Sequence, residues 1–307
     1  MSKTAFFFAG QGAQFVGMGK DLCEKYPSAK ALFNQANEVL GYDLATICFE
    51  GPEEELTKTE HAQPGIYLVS WVALQLLKES VPGLKADATA GLSLGEFTAL
   101  AAAGALSFED GLKVVRQRGL FMQEACDETK GGMAAIIGME QDAVQKVCDE
   151  AGVQLANLNC PGQIVISGEA SRIEAACEVA KAQGAKRALP LTVAGAYHSA
   201  LMSSASSRLA ETLKSTTIQA PSVPVISNVT AEAHGDNIAD VLVEQVTSSV
   251  LWEASIRKLI TEGFDAFIEF GPGNALAGFM KRIDRDQTVH NVGSVETFEK
   301  TVLALQS

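Results

Sequence analysis

Asp87-Ala88-Thr89-Ala90-Gly91-Leu92-Ser93-Leu94-Gly95 runs from a short apolar stretch, through a serine between glycines, into the alanine-rich residues 94–105. The first part suits a buried strand and the last a helix. Gly91-Leu92-Ser93-Leu94-Gly95 is then the sharp turn between them, and it fits G-x-S-x-G. A serine in such a turn takes a strained backbone, and small flanking residues let neighbouring chain pass closely. Its hydroxyl stands at a helix N-terminus, where unpaired N–H groups and the positive dipole end favour negative charge. A serine N-cap on an ordinary helix is the plainer alternative. The strand–turn–helix context favours a nucleophile.

Working outward, Ala5-Phe6-Phe7-Phe8-Ala9 is a continuous apolar run stopped by Gly10, as in a strand buried on both faces. Helical spacing covers residues 20–40, closing at Gly41, and another helix follows Pro64 with Ile66, Val69, Val72, Ala73, Leu76 and Leu77 on one face. A further helix covers residues 108–128. Short elements then alternate as strand 133–139, helix 140–151, strands 153–159 and 163–167, helix 170–183 and strand 185–191. That βαββαβ order is the ferredoxin-like unit. Helices at 199–214 and 238–259, the latter broken near Val250, accompany strands at 223–228 and 266–270. The expectation is an α/β chain whose larger domain, residues 1–127 and 195–307, has a mostly parallel sheet and carries a ferredoxin-like insertion at 128–194.

The 307 residues suit about two domains at ~150 residues each. With 47% hydrophobic and 20% charged residues the composition is globular, neither disordered nor fibrous. Lysine and arginine total 24 against 37 acidic residues, a net −13, which disfavours nucleic acid and anionic lipid as partners. Six scattered cysteines contain no C-x-x-C pair, so neither a zinc site nor a redox motif is signalled. No apolar run reaches the ~18 residues of a membrane span, and Met1 to Ala9 does not resemble a signal peptide. A cytoplasmic location is expected.

A serine nucleophile needs a base, and the chain has four histidines. His198, in Ala196-Tyr197-His198-Ser199, stands where the insertion hands the chain back, and such junctions often hold clefts. His234 reads as a solvated loop residue, His61 as a turn residue before Gln63-Pro64, and His290 as part of the polar C-terminal region. Gly10-Gln11-Gly12-Ala13-Gln14-Phe15 lacks the third glycine of a dinucleotide fingerprint. It leaves a tight turn presenting Gln11. Arg116 and Arg118 share one helix but, two residues apart, point to different faces. On their own both read as solvated.

Several stretches in order carry a resemblance. They are Gly10-Gln11-Gly12-Ala13-Gln14, the elbow followed by Glu96, Gln117-Arg118-Gly119-x-x-Met122-Gln123, and Asn157 to Gln163. Residues 184–191, Tyr197-His198-Ser199-Ala200-Leu201-Met202 and Glu269-x-Gly271-Pro272-Gly273 complete the set. Together they resemble the malonyl-CoA:acyl carrier protein transacylases, whose architecture is an α/β-hydrolase-like domain with a ferredoxin-like insertion. The resemblance implies Ser93 as nucleophile, His198 as base, the backbone N–H groups of Gln11 and Leu94 as oxyanion donors, and Arg118 as the substrate-carboxylate ligand. Gln63 and Asn159 would line the groove, and the carbonyl of Leu251 would orient His198. It also implies a coenzyme A thioester as substrate, no permanently bound cofactor or metal, and acyl carrier protein as partner. Leu92 departs from the histidine usual before the serine.

Carrier proteins are acidic, so docking on this acidic chain calls for a local basic patch. Lys186-Arg187 and Lys281-Arg282 are the candidates. The nearest rival is a serine esterase or thioesterase on the same elbow. Against it stand the missing acidic triad member and the match at Arg118. A non-catalytic carrier-binding scaffold would have lost Ser93 or His198, and both are present.

Overall fold

Three consecutive phenylalanines fix the centre of the molecule. The computed structural model describes residues 2–306, and its strands in chain order are β1 (Lys3–Phe8), β2 (Ala88–Gly91), β3 (Gly131–Ile137), β4 (Gln154–Cys160), β5 (Gln163–Glu169), β6 (Arg187–Pro190), β7 (Val225–Ile226), β8 (Phe264–Phe270) and β9 (Val289–Val292). In β1 side chains alternate between faces. Phe6 and Phe8 enter a core with Ile66, Val69 and Phe97, while Phe7 packs with Trp252, Ile256 and Met280 on the other face. A strand covered on both sides has no use for alternating polarity, which explains the unbroken apolar run.

β1 is the middle of a five-stranded sheet ordered β7-β2-β1-β8-β9, with every pairing parallel. The register sets Phe8 against Gly91 on one side and Phe270 on the other. Gly10-Gln11, Leu92-Ser93 and Gly271-Pro272 therefore leave the sheet at one edge. This is the carboxyl edge, where open parallel sheets form their ligand crevices.

The second sheet has four strands ordered β4-β5-β3-β6, all antiparallel. Helices Gln141–Ala151 and Ala170–Ala182 cover one face of it through Val144, Val147, Ile173 and Ala176. The segment before helix Trp252–Thr261 is bonded to β4: Leu158 N–H donates to the Val250 carbonyl at 2.9 Å, and Val250 N–H donates to the Ala156 carbonyl at 2.8 Å.

Some boundaries differ from the pattern. The helix expected over 20–40 is two, Lys20–Lys25 and Pro27–Leu40, because Tyr26 before Pro27 is pushed to extended backbone at φ −117°. The next long helix starts at Thr59, not after Pro64, since one proline near a helix start removes a single bond. His61 is thus a helix residue, 8% exposed, not a turn residue. The strand expected at 223–228 shrinks to Val225–Ile226, and β9 with helix Val295–Gln306 completes the fold. Among the described residues no helix is long and apolar enough to cross a membrane.

Candidate active site

Ser93 sits at φ 52°, ψ −102°, a strained conformation for a residue with a side chain. The turn forces it. A Cβ on Gly91 would lie 1.9 Å from the Gly95 carbonyl carbon, and one on Gly95 only 2.2 Å from the Phe8 carbonyl oxygen. Both glycines are required because helix Leu94–Ala102 begins against β1 and β2. Asn228 locks the turn, its Oδ1 accepting from Ser93 N–H at 2.6 Å and its Nδ2 donating to Gly91 O at 2.8 Å.

His198, also strained at φ 58° and 4% exposed, presents Nε2 to Ser93 Oγ at 2.8 Å. Its Nδ1 lies 2.9 Å from the Gln245 carbonyl oxygen. A carbonyl only accepts, so Nδ1 carries the proton and Nε2 is left to accept from the serine hydroxyl. Burial, reinforced by the nearby Arg118 charge, pushes the imidazole down to about 4 against the pull of the Gln245 and Ser248 carbonyls. The ring is neutral at neutral pH and ready to take a proton.

Leu251 does not supply that carbonyl. It caps helix Trp252–Thr261, and its oxygen accepts from the Ser255 N–H and hydroxyl at 3.0 and 2.9 Å. The oxygen on His198 belongs to Gln245, the last residue of helix Ile238–Gln245, where carbonyls lack intrahelical partners.

Arg118 is 1% exposed, while Arg116 reaches outward to Glu60 at 2.9 Å and stacks over the Tyr42 ring. From Arg118, Nη2 donates to Ser93 Oγ at 3.0 Å and to Gln245 Oε1 at 2.9 Å, and Nη1 donates to Gln63 Oε1 at 2.8 Å. Its Nε has no partner among the described residues. Burial lowers the guanidinium to about 10, opposed by the Glu96 charge, so it remains a cation. Gln63, fully buried, passes its amide on to Gln11 Oε1 at 3.3 Å, and Gln11 Nε2 reaches Thr59 Oγ1 and Tyr197 Oη at 3.3 Å each.

Gln11, Ser93, Asn159, Tyr197 and His198 line one cavity of about 390 Å³ between the two sheets. Leu94 is buried just behind, and as the first helical residue its N–H has no partner within its own helix. Asn159 Oδ1 is buried without a partner among the described residues. Glu269, on the cavity wall, caps helix Ala275–Ile283 by accepting from the Leu276 and Ala277 N–H groups at 3.0 and 2.9 Å. Among the described residues there is no cluster able to hold a metal.

His234 is not the solvated residue its neighbours suggest. Its side chain is fully buried, with Nε2 2.5 Å from Glu96 Oε1. Gln245, Asn228 and the burial of Glu96 had no signal in the sequence beyond Glu96 following the elbow. Arg282 and Lys186 each lie beside the close approach of Gly138 and Gly162. An added Cβ at Gly162 would lie 3.7 Å from Arg282 Nη2 and 3.6 Å from Gly138 Cα, and one at Gly138 would lie 2.6 Å from Lys186 Cγ. Lys186, Arg187, Lys281 and Arg282 are all exposed.

This arrangement suits acyl transfer through serine, and the chain's relatives agree with it. The family model described as "Acyl transferase domain" matches residues 5–300. The malonyl CoA-acyl carrier protein transacylase of Bacillus subtilis is 50% identical over 313 aligned positions, covering 100% of this chain and 98% of that protein. The crystal structure of the Clostridium perfringens malonyl CoA-acyl carrier protein transacylase superposes with a TM-score of 0.95 at 42% identity, covering 99% of this chain and 98% of that one. A malonyl-transacylase solved in complex with its type II PKS acyl-carrier protein has a TM-score of 0.95 at 36% identity, covering 99% and 100%. The chain belongs to the acyl transferase family, among relatives named malonyl CoA-acyl carrier protein transacylase.

Proposed function

We propose that the protein transfers malonyl from malonyl-CoA to the phosphopantetheine thiol of acyl carrier protein, through a malonyl ester of Ser93, for fatty-acid synthesis. One observation carries this reading: Ser93 Oγ is held at once by a neutral imidazole at 2.8 Å and by a buried guanidinium at 3.0 Å. A hydrolase acting on uncharged esters needs only the first of these.

His198 Nε2 takes the hydroxyl proton as Oγ attacks the thioester carbonyl. The Leu94 and Gln11 N–H groups receive the developing oxyanion, each worth about 3–4 kcal/mol of barrier. Coenzyme A leaves with the proton from His198. The carrier-protein thiol then gives its proton to the same nitrogen and attacks the ester, and Ser93 Oγ leaves with that proton from His198. Arg118 offers its planar fork, with an unpartnered Nε–H, to the free malonyl carboxylate, which could not be buried alone. Gln63 steadies that fork, and Asn159 lines the groove.

The larger unit, residues 1–127 and 195–307, reads as α/β-hydrolase-like and the smaller, 128–194, as ferredoxin-like. The sheet orders support both. No cofactor is held between turnovers, and a cytoplasmic location fits the substrates. Carrier protein docks against Lys186, Arg187, Lys281 and Arg282. Both β6 and helix Ala275–Ile283 connect this patch to the cavity, because Leu191 and Leu276 line it at their other ends. The test is partition of the acyl-enzyme: mixed with malonyl-CoA and carrier protein, the enzyme should yield malonyl carrier protein far faster than free malonate. Predominant release of malonate would make it a thioesterase.

A further inference from the structure

Glu96 is fully buried one helical turn from the nucleophile, and the steps above make no use of it. Three donors meet its carboxylate. His234 Nε2 lies 2.5 Å from Oε1, while Oε2 accepts from Gln245 Nε2 at 2.7 Å and from Asn228 N–H at 3.0 Å. A buried carboxylate is costly unless so satisfied, and an apolar pair of similar volume would be cheaper. The two residues it holds are the two that hold Ser93. Asn228 grips the Ser93 N–H and Gly91 O. Gln245 donates to Ser93 O at 3.0 Å, accepts from Arg118 Nη2 at 2.9 Å, and bears the carbonyl on His198.

We infer that Glu96, paired with His234, is a positioning residue that sets the polarity of the Gln245 amide and thereby aims Arg118 at the acyl group's carboxylate. The logic is one of donors and acceptors. An amide has a donating and an accepting end, and Arg118, which only donates, needs the accepting one. The Glu96 carboxylate and the Ser93 carbonyl both only accept, so Gln245 turns Nε2 toward them. Oε1 is then left facing Arg118, which only donates. The same anion balances the arginine's charge, since Glu96 opposes the lowering of the Arg118 pKa. Glu96 at the first turn of helix Leu94–Ala102 also complements the helix dipole. His234 supplies the donor that completes the carboxylate. It comes from a segment the elbow motif does not contain.

The inference rests on Arg118 being the malonyl-carboxylate ligand. The test is the ratio of malonyl to acetyl loading of Ser93, each as kcat/KM by intact mass, in the full-length protein. Glu96→Gln can donate as well as accept and removes the charge, so it leaves the Gln245 amide held in this sense by Ser93 O and Arg118 alone. The ratio should fall about tenfold or more. His234→Leu should lower it in the same direction, whereas His234→Gln, which keeps a donor for Glu96, should leave it within about twofold of the parent. A structural role alone would lower the melting temperature and both loading rates together without moving the ratio. Should Glu96→Gln not fold, the contrast between His234→Leu and His234→Gln decides. If Arg118→Ala lowers the ratio but neither Glu96→Gln nor His234→Leu does, the inference alone is overturned. If Arg118→Ala also leaves it unchanged, the reading of Arg118 falls with it.

Discussion

Arg118 Nη2 donates to Ser93 Oγ at 3.0 Å, so a buried cation touches the hydroxyl that His198 is placed to deprotonate. The contact links donor choice to reactivity. The group proposed to recognise the carboxylate also touches the nucleophile and helps hold the pKa of the base down.

Removing the fork should remove the preference. Arg118→Ala is expected to cut malonyl loading by roughly 10- to 100-fold relative to acetyl, matching about 1.5–3 kcal/mol for a charge-assisted hydrogen bond. Arg118→Lys should recover only part of it, because an ammonium cannot present the planar pair of donors. Competition between the two donors, read by intact mass, checks this.

The pH dependence follows from His198. Its folded pKa of about 4 lies below the ordinary 6.5, so the imidazole is already neutral through neutral pH. The single-turnover acylation rate should be flat there and fall only well into the acid range. Deleting the Arg118 charge removes a cause of the depression, so Arg118→Ala should move the acid limb to higher pH. Stability carries the same sign. From pH 6.5 down toward 4 the unfolded chain takes up a proton that the folded site refuses, so folding weakens across that window. Stopped-flow acylation and chemical denaturation over pH measure the two effects.

The elbow should tolerate no side chain at its glycines. Gly95→Ala would set a Cβ 2.2 Å from the Phe8 carbonyl oxygen, and Gly91→Ala one 1.9 Å from the Gly95 carbonyl carbon. Each should cost about 3 kcal/mol or more of stability and most of the activity. Gly104→Ala, at φ 78° but with open space around it, should cost only its backbone strain. Thermal melts of the three variants give the ranking.

Reversing the basic patch separates the two half-reactions. Lys186→Glu with Arg282→Glu should raise the KM for carrier protein about tenfold at low salt and leave the malonyl-CoA half-reaction nearly unchanged. Equal effects on both substrates would speak against docking there. Arg282 also bonds Gln163 Oε1 and Pro161 O, so the melting temperature of the variant is to be measured alongside.

How much of this was legible before any coordinates follows from what one-dimensional patterns can carry. The strained serine, its glycines and the alternation of elements are local. They were readable because backbone conformation and burial are written in residue type and period. His198 stood out by its place at the return from the insertion. Arg118 did not, because a helical arginine looks solvated until Ser93 and the buried Gln63 and Gln245 around it are known. The family resemblance supplied what periodicity lacked. The resemblance implied the carbonyl of Leu251, but Leu251 begins a helix, where carbonyls are engaged, and the oxygen on His198 stands at the end of one, on Gln245. His234 was misread for the opposite reason. Its neighbours Glu232, Gly235 and Asp236 are exposed, yet its own ring turns inward to Glu96, a contact made across 138 positions of chain.

Most direct is the intact mass of the protein after brief mixing with malonyl-CoA in the absence of carrier protein. A single added malonyl group is expected, mapping to Ser93, abolished in Ser93→Ala, and discharged when carrier protein is supplied. An adduct that persists in Ser93→Ala, or one that forms on the parent yet never passes to the carrier thiol, would contradict transfer through this serine.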